Sequence, residues 1–243
     1  MNNSPYNEPV FGSDNRSMIQ IMLDAVTKPT LENYERTAQA PNASLANGAL
    51  WLFLALLVGS LVGGLIGLPF QGGGVMEQLG PLLQDAPPEL RELLRNTSGG
   101  GMGFFGIICG APVGALFGLL FYFIGVGIQH WIARLFGGAG AFDKFFFTQA
   151  SYGAPIALLS GVLSSIPFVN CITFFISLYS IFLNFLSIRA VHRLDSGKAI
   201  LVILVPAIVF CLLFVCCWVI VLAIFGPVIG EVFSQINNGL MAP

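Results

Sequence analysis

Side chains that could act as nucleophiles or general bases are few in this chain. Ser160, Ser164 and Ser165 lie together in one apolar stretch, and the only histidines are His130 and His192. Nucleophilic catalysis by serine requires a base within hydrogen-bond distance of the hydroxyl. Both histidines are placed at the opposite ends of apolar stretches from these serines. The sequence therefore predicts no serine–histidine pair.

Phosphate-binding and metal-binding patterns are also missing. Ser196-Gly197-Lys198 resembles the end of a phosphate loop, but the upstream glycine that such a loop requires is absent. We instead expect Ser196 to cap a helix. The cysteines have no metal-ligand spacing with a nearby histidine: Cys109, Cys171, Cys211, Cys216 and Cys217. No catalytic residue, metal or cofactor is predicted, and we expect the protein not to be an enzyme.

The composition identifies the environment in which the chain folds. Of 243 residues, 56% are hydrophobic and only 9% are charged, against roughly 25% charged in soluble domains. This composition cannot cover a water-soluble surface. A net charge of −2 also provides no basic footprint for nucleic acid. The sequence therefore predicts an integral membrane protein.

Charge-free intervals locate the transmembrane helices, because about 20 apolar residues are needed to cross the hydrocarbon core. Four such intervals occur, at 37–76, 96–133, 145–188 and 199–230. The third is long enough for a helical hairpin, with Pro167 at the turn and Asn170 as a cap for the second helix. We predict an all-α bundle of five spans with short interfacial helices, the spans at about 46–68, 104–132, 146–165, 170–188 and 200–225.

Lysine and arginine predict the orientation, because cytoplasmic loops are enriched in both. With the N-terminus inside, eight of the ten cations fall on the cytoplasmic side, and only Arg91 and Arg95 fall outside. We therefore expect the C-terminus to lie outside.

Three segments flank the predicted spans. The polar N-terminal segment, 1–43, contains apolar residues at helical spacing, which predict an amphipathic helix at about 18–28 that ends at Lys28-Pro29. The external loop, 69–103, is expected to hold two short interfacial helices. The membrane domain is predicted at 44–230, followed by a short external tail at 231–243.

Glycines recur every four residues in two spans, a spacing that lets another backbone approach one helix face closely. The first span carries Gly59, Gly63 and Gly67, and the second carries Gly106, Gly110, Gly114 and Gly118. Two interpretations remain open: packing within the chain, or the seam of a homo-oligomer.

The order of short motifs resembles the Yip1 domain family of small polytopic membrane proteins. The resemblance covers about 18–236 and is carried by Lys28-Pro29, by Tyr152-Gly153-Ala154-Pro155 in the third span and by Ile166-Pro167 at the hairpin turn. The run 179–193 and Lys198 at the start of the fifth span complete it. The resemblance implies a membrane adaptor in which Tyr152, Pro155, Pro167 and Lys198 are family-motif residues.

Eukaryotic members are implied to bind Rab-type GTPases, but the Asp-Leu-Tyr-Gly-Pro pattern that they carry before the first span is absent here. The chain is more similar to the prokaryotic branch, which implies a bacterial or archaeal cytoplasmic membrane. Our leading hypothesis is a non-enzymatic adaptor or organiser that binds cytoplasmic partners or lipids. The alternative is a passive transporter or channel component for a small solute, in which Pro112, Pro155 and Pro206 break helices around a path.

Overall fold

The fold is described from a computed structural model, which covers residues 16–71, 100–166 and 169–241. These residues form seven helices and no strand. In chain order the helices are α1 (Met18–Thr27), α2 (Leu31–Ala38), α3 (Leu45–Gln71), α4 (Gly100–Leu135), α5 (Phe142–Leu163), α6 (Asn170–His192) and α7 (Ser196–Met241). The external loop predicted at 69–103, residues 1–15 and Pro167 lie largely or wholly outside this description.

Five of these helices, α3 to α7, are long and apolar enough to cross a membrane, which confirms the predicted fold class. Their apolar parts agree with the predicted spans to within a few residues. The largest difference is at the end of the chain, where α7 continues without a break to Met241. Two predicted helix caps are wrong. Asn170 is the first residue of α6, and Val169 precedes it without a side-chain cap. Ser196 is the first residue of α7, where the Asp195 carboxylate accepts from Gly197 N at 3.2 Å.

The segment before the first span forms a helical hairpin, α1–α2. A reciprocal pair of bonds between Ser17 and Gln20 caps α1, and the Thr30 hydroxyl caps α2. Lys28 ends α1, as the sequence predicts. The helix α2 was not predicted, because its residues are mostly polar. The hairpin packs along α5 and α6.

The helix α5 lies at the centre of the bundle and contacts every other helix except α7 strongly. Every residue from Phe145 to Ala154 is buried, including the polar Thr148, Gln149 and Ser151. A helix that is covered on all sides has no lipid-facing stripe, so polar residues on it must find partners inside the protein.

The first-span glycines allow α3 and α5 to approach each other closely. Gly59 faces the backbone of Ala157 and Leu158, and Gly63 faces the carbonyl oxygen of Gly161. Gly67 is also buried. The helix α7 is covered only near its start. There Ala199 and Val202 are buried in the core, whereas the apolar side chains from Ile208 to Phe225 are exposed.

Candidate functional site

The most elaborate surface is the end of the bundle that carries α1, α2, the α4–α5 loop and the α6–α7 loop, which we call the N-terminal face. The hairpin is fixed to it by aromatic residues. Tyr34 Oη donates to Ala25 O at 3.0 Å while its ring lies 6.2 Å from that of Tyr152. Tyr179 Oη donates to Val26 O at 2.6 Å. The N-terminal face is therefore a packed structure rather than a set of loose loops.

Ion pairs of Asp24 with Lys28 and Arg16 stabilise α1 of the hairpin. Asp24 accepts from Lys28 at 2.8 Å and from Arg16 at 3.4 Å. The hydrogen bond from Lys28, supported by its charge and by Arg16, holds the pKa of Asp24 below its ordinary value. Burial raises the pKa of Tyr34, so its phenol stays protonated and remains a donor.

A cleft of about 540 Å³ opens on the N-terminal face between α2, the α4–α5 loop and the end of α6. Three cations line it, namely Lys144, Arg189 and Arg193, and Glu35 is the one carboxylate among its lining residues. The Lys144 ammonium donates to Ala43 O at 2.9 Å, which leaves it two further donors. We call this cavity the basic cleft.

The end of α6 presents the basic cleft's guanidinium groups in two ways. Arg189 lies 5.5 Å over the Phe185 ring, and its buried Nε has no hydrogen-bond partner among the described residues. Arg193 terminates α6 in the left-handed conformation, with φ 52°. This local geometry places a fixed positive charge beside the helix C-terminus, where cations are favoured.

Glycines in the α4–α5 loop bring it against α6. Ala139 N donates to His192 O at 3.3 Å. At Gly140, an added Cβ would lie 2.6 Å from Val191 O, so only glycine fits there without a shift. The loop thus closes one wall of the basic cleft.

The two histidines meet behind this wall, although they lie at the ends of two different apolar stretches of the sequence. His130 Nδ1 lies 2.9 Å from His192 Nε2, and His192 is 1% exposed with its ring edge-on to Phe145. No group of three or more His, Cys, Asp or Glu side chains that could hold a metal occurs among the described residues. The pair has the geometry of a partly buried hydrogen bond that joins α4 to α6.

A second cavity, of about 360 Å³, lies between α4, α5 and α6. Gln149 Nε2 donates to Asn184 Oδ1 at 2.7 Å and to Gln129 Oε1 at 3.2 Å. Tyr152 Oη donates to Gln149 Oε1. We call this cavity the amide cavity. This cluster was not predicted from the sequence, because it contains carboxamides and phenols and no charged residue that would stand out within an apolar span.

The remaining sequence-predicted residues are dispersed. Tyr152 is buried in the middle of α5 and Pro155 lies one turn further along, while Lys198 is exposed near the start of α7. The second-span glycines do not share the environment of the first-span set. Apart from the local backbone of α4, no described atom lies within 4 Å of a Cβ built at Gly106, Gly110 or Gly114, whereas Gly118 faces the Leu56 side chain.

A family model matches most of this chain. The model of the Yip1 domain matches residues 23–218, which include the second half of α1, all of α2 to α6 and most of the apolar part of α7. No curated protein and no solved structure matches the chain. Together with the five membrane-crossing helices, the match makes the chain a multi-pass integral membrane protein that belongs to the Yip1 domain family.

Proposed function

We propose that this protein is a non-enzymatic membrane adaptor whose N-terminal face lies in the cytoplasm and binds an acidic segment of a partner protein or anionic lipid. The observation that carries the proposal is the basic cleft, in which three cations face one carboxylate. Anionic groups gain charge-assisted hydrogen bonds from such a set, and guanidinium groups bind carboxylates and phosphates in a bidentate manner. Yip1 family proteins are not known as enzymes.

The position of the cleft supports an adaptor more than a catalyst. Its wall is formed by the hairpin and by the α4–α5 loop, both of which are tied to the bundle. A bound partner would therefore be held at a fixed position relative to the membrane. The positive-inside rule supports cytoplasmic placement, because this face carries eight of the ten cations.

The test is affinity capture of the full-length, detergent-extracted protein from its own cell membrane and cytosol fractions. We expect a reproducible partner with the wild type and its loss from the Arg189→Gln, Arg193→Gln double variant. The matched control is Arg91→Gln with Arg95→Gln, which removes the same charge from the predicted outer loop. Binding of anionic against zwitterionic vesicles, measured with the same variants, separates lipid from protein as the partner. Capture that is equal for all three proteins, or no reproducible partner and no vesicle binding, contradicts the proposal.

The alternative proposal, passive transport of a small solute, draws support from Pro112 and Pro155 inside the helices and from a polar cavity between spans. Solute flux into reconstituted liposomes above that of empty liposomes would favour it. Flux equal to the empty control leaves the adaptor as the better account.

A further inference from the structure

The amide cavity has a polar floor, apolar walls and no formal charge. Three carboxamides and two phenols form its floor, and apolar side chains lie beside them: Val126, Ile156, Ala157 and Ile181. None of its lining residues is ionised at neutral pH. Polar side chains between spans often serve to bind helices together. Here the carboxamides only partly satisfy one another, and the unsatisfied groups indicate a ligand.

The network leaves a surplus of donors. Both N–H bonds of Gln149 are used, and its oxygen accepts from Tyr152. Since Gln129 and Asn184 present their oxygens to Gln149, their NH₂ groups face away from it and have no hydrogen-bond partner among the described residues. Tyr122 Oη is buried and has no hydrogen-bond partner among the described residues. A ligand that supplies oxygen acceptors would satisfy all three groups.

The mouth of the cavity opens sideways between α4 and α6, which scarcely contact each other. Gly125 and Ile181 are exposed at this rim, and Ile181 is 50% uncovered. The flanking side chains of α4 and α6 are apolar and exposed, among them Phe121 and Phe182. The cavity is therefore accessible from the bilayer rather than only from water.

The position of Asn184 along α6 indicates the depth of the cavity. Asn184 lies about 12 Å along α6 from His192, whereas the 22-residue span Cys171–His192 is about 33 Å long. The cavity therefore lies in the half of this span nearer to the N-terminal face, where a lipid of the adjoining leaflet can reach its rim.

We propose that the amide cavity binds a neutral glycerolipid of the diacylglycerol class, with the ester carbonyl oxygens accepting from Gln129, Asn184 and Tyr122. The acyl chains would leave through the rim at Gly125. A phospholipid is disfavoured because no cation lines the cavity to offset its phosphate. This inference is independent of the adaptor proposal, which concerns the basic cleft.

The test measures saturable binding of 1,2-dioctanoylglycerol to the full-length protein in detergent, as a shift of the thermal midpoint and by equilibrium dialysis. The dioctyl diether of glycerol keeps the hydroxyl and the chains but lacks both carbonyls. We expect the diether to bind at least about tenfold more weakly than dioctanoylglycerol, because the buried donors would remain unsatisfied. Short-chain phosphatidylcholine serves as the phospholipid arm.

Two glycines on α4 provide matched variants. Outside the local helix backbone, no described atom lies within 4 Å of a Cβ at either Gly125 or Gly127, so both positions have room for the first carbon of a side chain. Gly125 lines the cavity, whereas Gly127 does not. We expect Gly125→Leu to abolish dioctanoylglycerol binding and Gly127→Leu to preserve it. Equal binding of the diether, tighter binding of the phospholipid, wild-type affinity in Gly125→Leu, or no saturable binding at all would each overturn the proposal.

Discussion

The close contact between α3 and α5 predicts that the substitution Gly63→Ala destabilises the fold. A methyl group on Gly63 would overlap the carbonyl oxygen of Gly161 and lie 2.7 Å from Ser165 Oγ. Because the first of these atoms belongs to the backbone of a helix, no side-chain rotation relieves the overlap. The two helices must separate, and contacts along the rest of their shared face must loosen with them.

The magnitude follows from two opposing effects. Overpacking at a well-packed contact costs about 1–3 kcal/mol, and the backbone partner places this site at the upper end. Replacing glycine by alanine inside a helix stabilises the helix by about 1 kcal/mol. We therefore expect Gly63→Ala to lower the free energy of unfolding by about 2 kcal/mol.

The matched control is Gly114→Ala on α4, where an added Cβ meets nothing within 4 Å in the described chain. Here only the propensity gain operates, so stability should stay equal or rise by up to about 1 kcal/mol. Unfolding in mixed micelles, titrated with SDS and followed by circular dichroism, gives both values. Equal midpoints for Gly63→Ala and Gly114→Ala would refute the reasoning that these glycines differ because α5 covers one and not the other.

Four further predictions concern the hairpin, the topology, the α4 face and the α4–α5 loop. The pKa of Asp24 is lowered in the folded protein, so its ion pairs stabilise the hairpin at neutral pH by at most about 1 kcal/mol. This stabilisation is lost as the pH falls below about 4, through the lowered pKa. Protease cleavage of the hairpin should therefore increase at that pH in the wild type, whereas cleavage of Asp24→Asn should not change with pH. Reporter tags should place the N-terminus in the cytoplasm and the C-terminus outside, and both termini in one compartment would contradict the predicted five crossings. If copies of the chain meet along α4, Gly110→Ile with Gly114→Ile should convert the homomer to a monomer in detergent, whereas an unchanged elution volume would exclude this seam. Gly140→Ala should weaken capture of the partner by displacing the loop from α6, and capture equal to wild type would show that the loop does not shape the basic cleft.

The local composition of the chain was sufficient to predict the five long helices. Each follows from an uninterrupted apolar run, since a backbone in hydrocarbon must satisfy its own hydrogen bonds and a helix does so with local contacts alone. The end of α1 at Lys28-Pro29 was predictable for the same local reason, because the residue before proline is disfavoured in a helix. The short motifs around Tyr152 and Lys198 were likewise sufficient to indicate the family.

The groups that make the two cavities could not be predicted in this way. Gln129, Gln149 and Asn184 lie on three different helices, and nothing in their spacing along the chain indicates that they share hydrogen bonds. The pairing of His130 with His192 depends on how α4 crosses α6. Such contacts join residues that are distant in sequence, so they depend on rotation and offset between helices, which periodicity leaves undetermined.

The glycines show the same division most clearly. Both spans carry the same four-residue repeat, which by itself identifies only a face that another backbone can approach closely. In the folded chain Gly63 lies against Gly161, while Gly110 and Gly114 face away from every described part of the protein. The sequence by itself determined that the chain is a helical membrane protein with two smooth helix faces. The tertiary structure alone decided which face α5 covers, because packing is a property of pairs of helices and not of either helix alone.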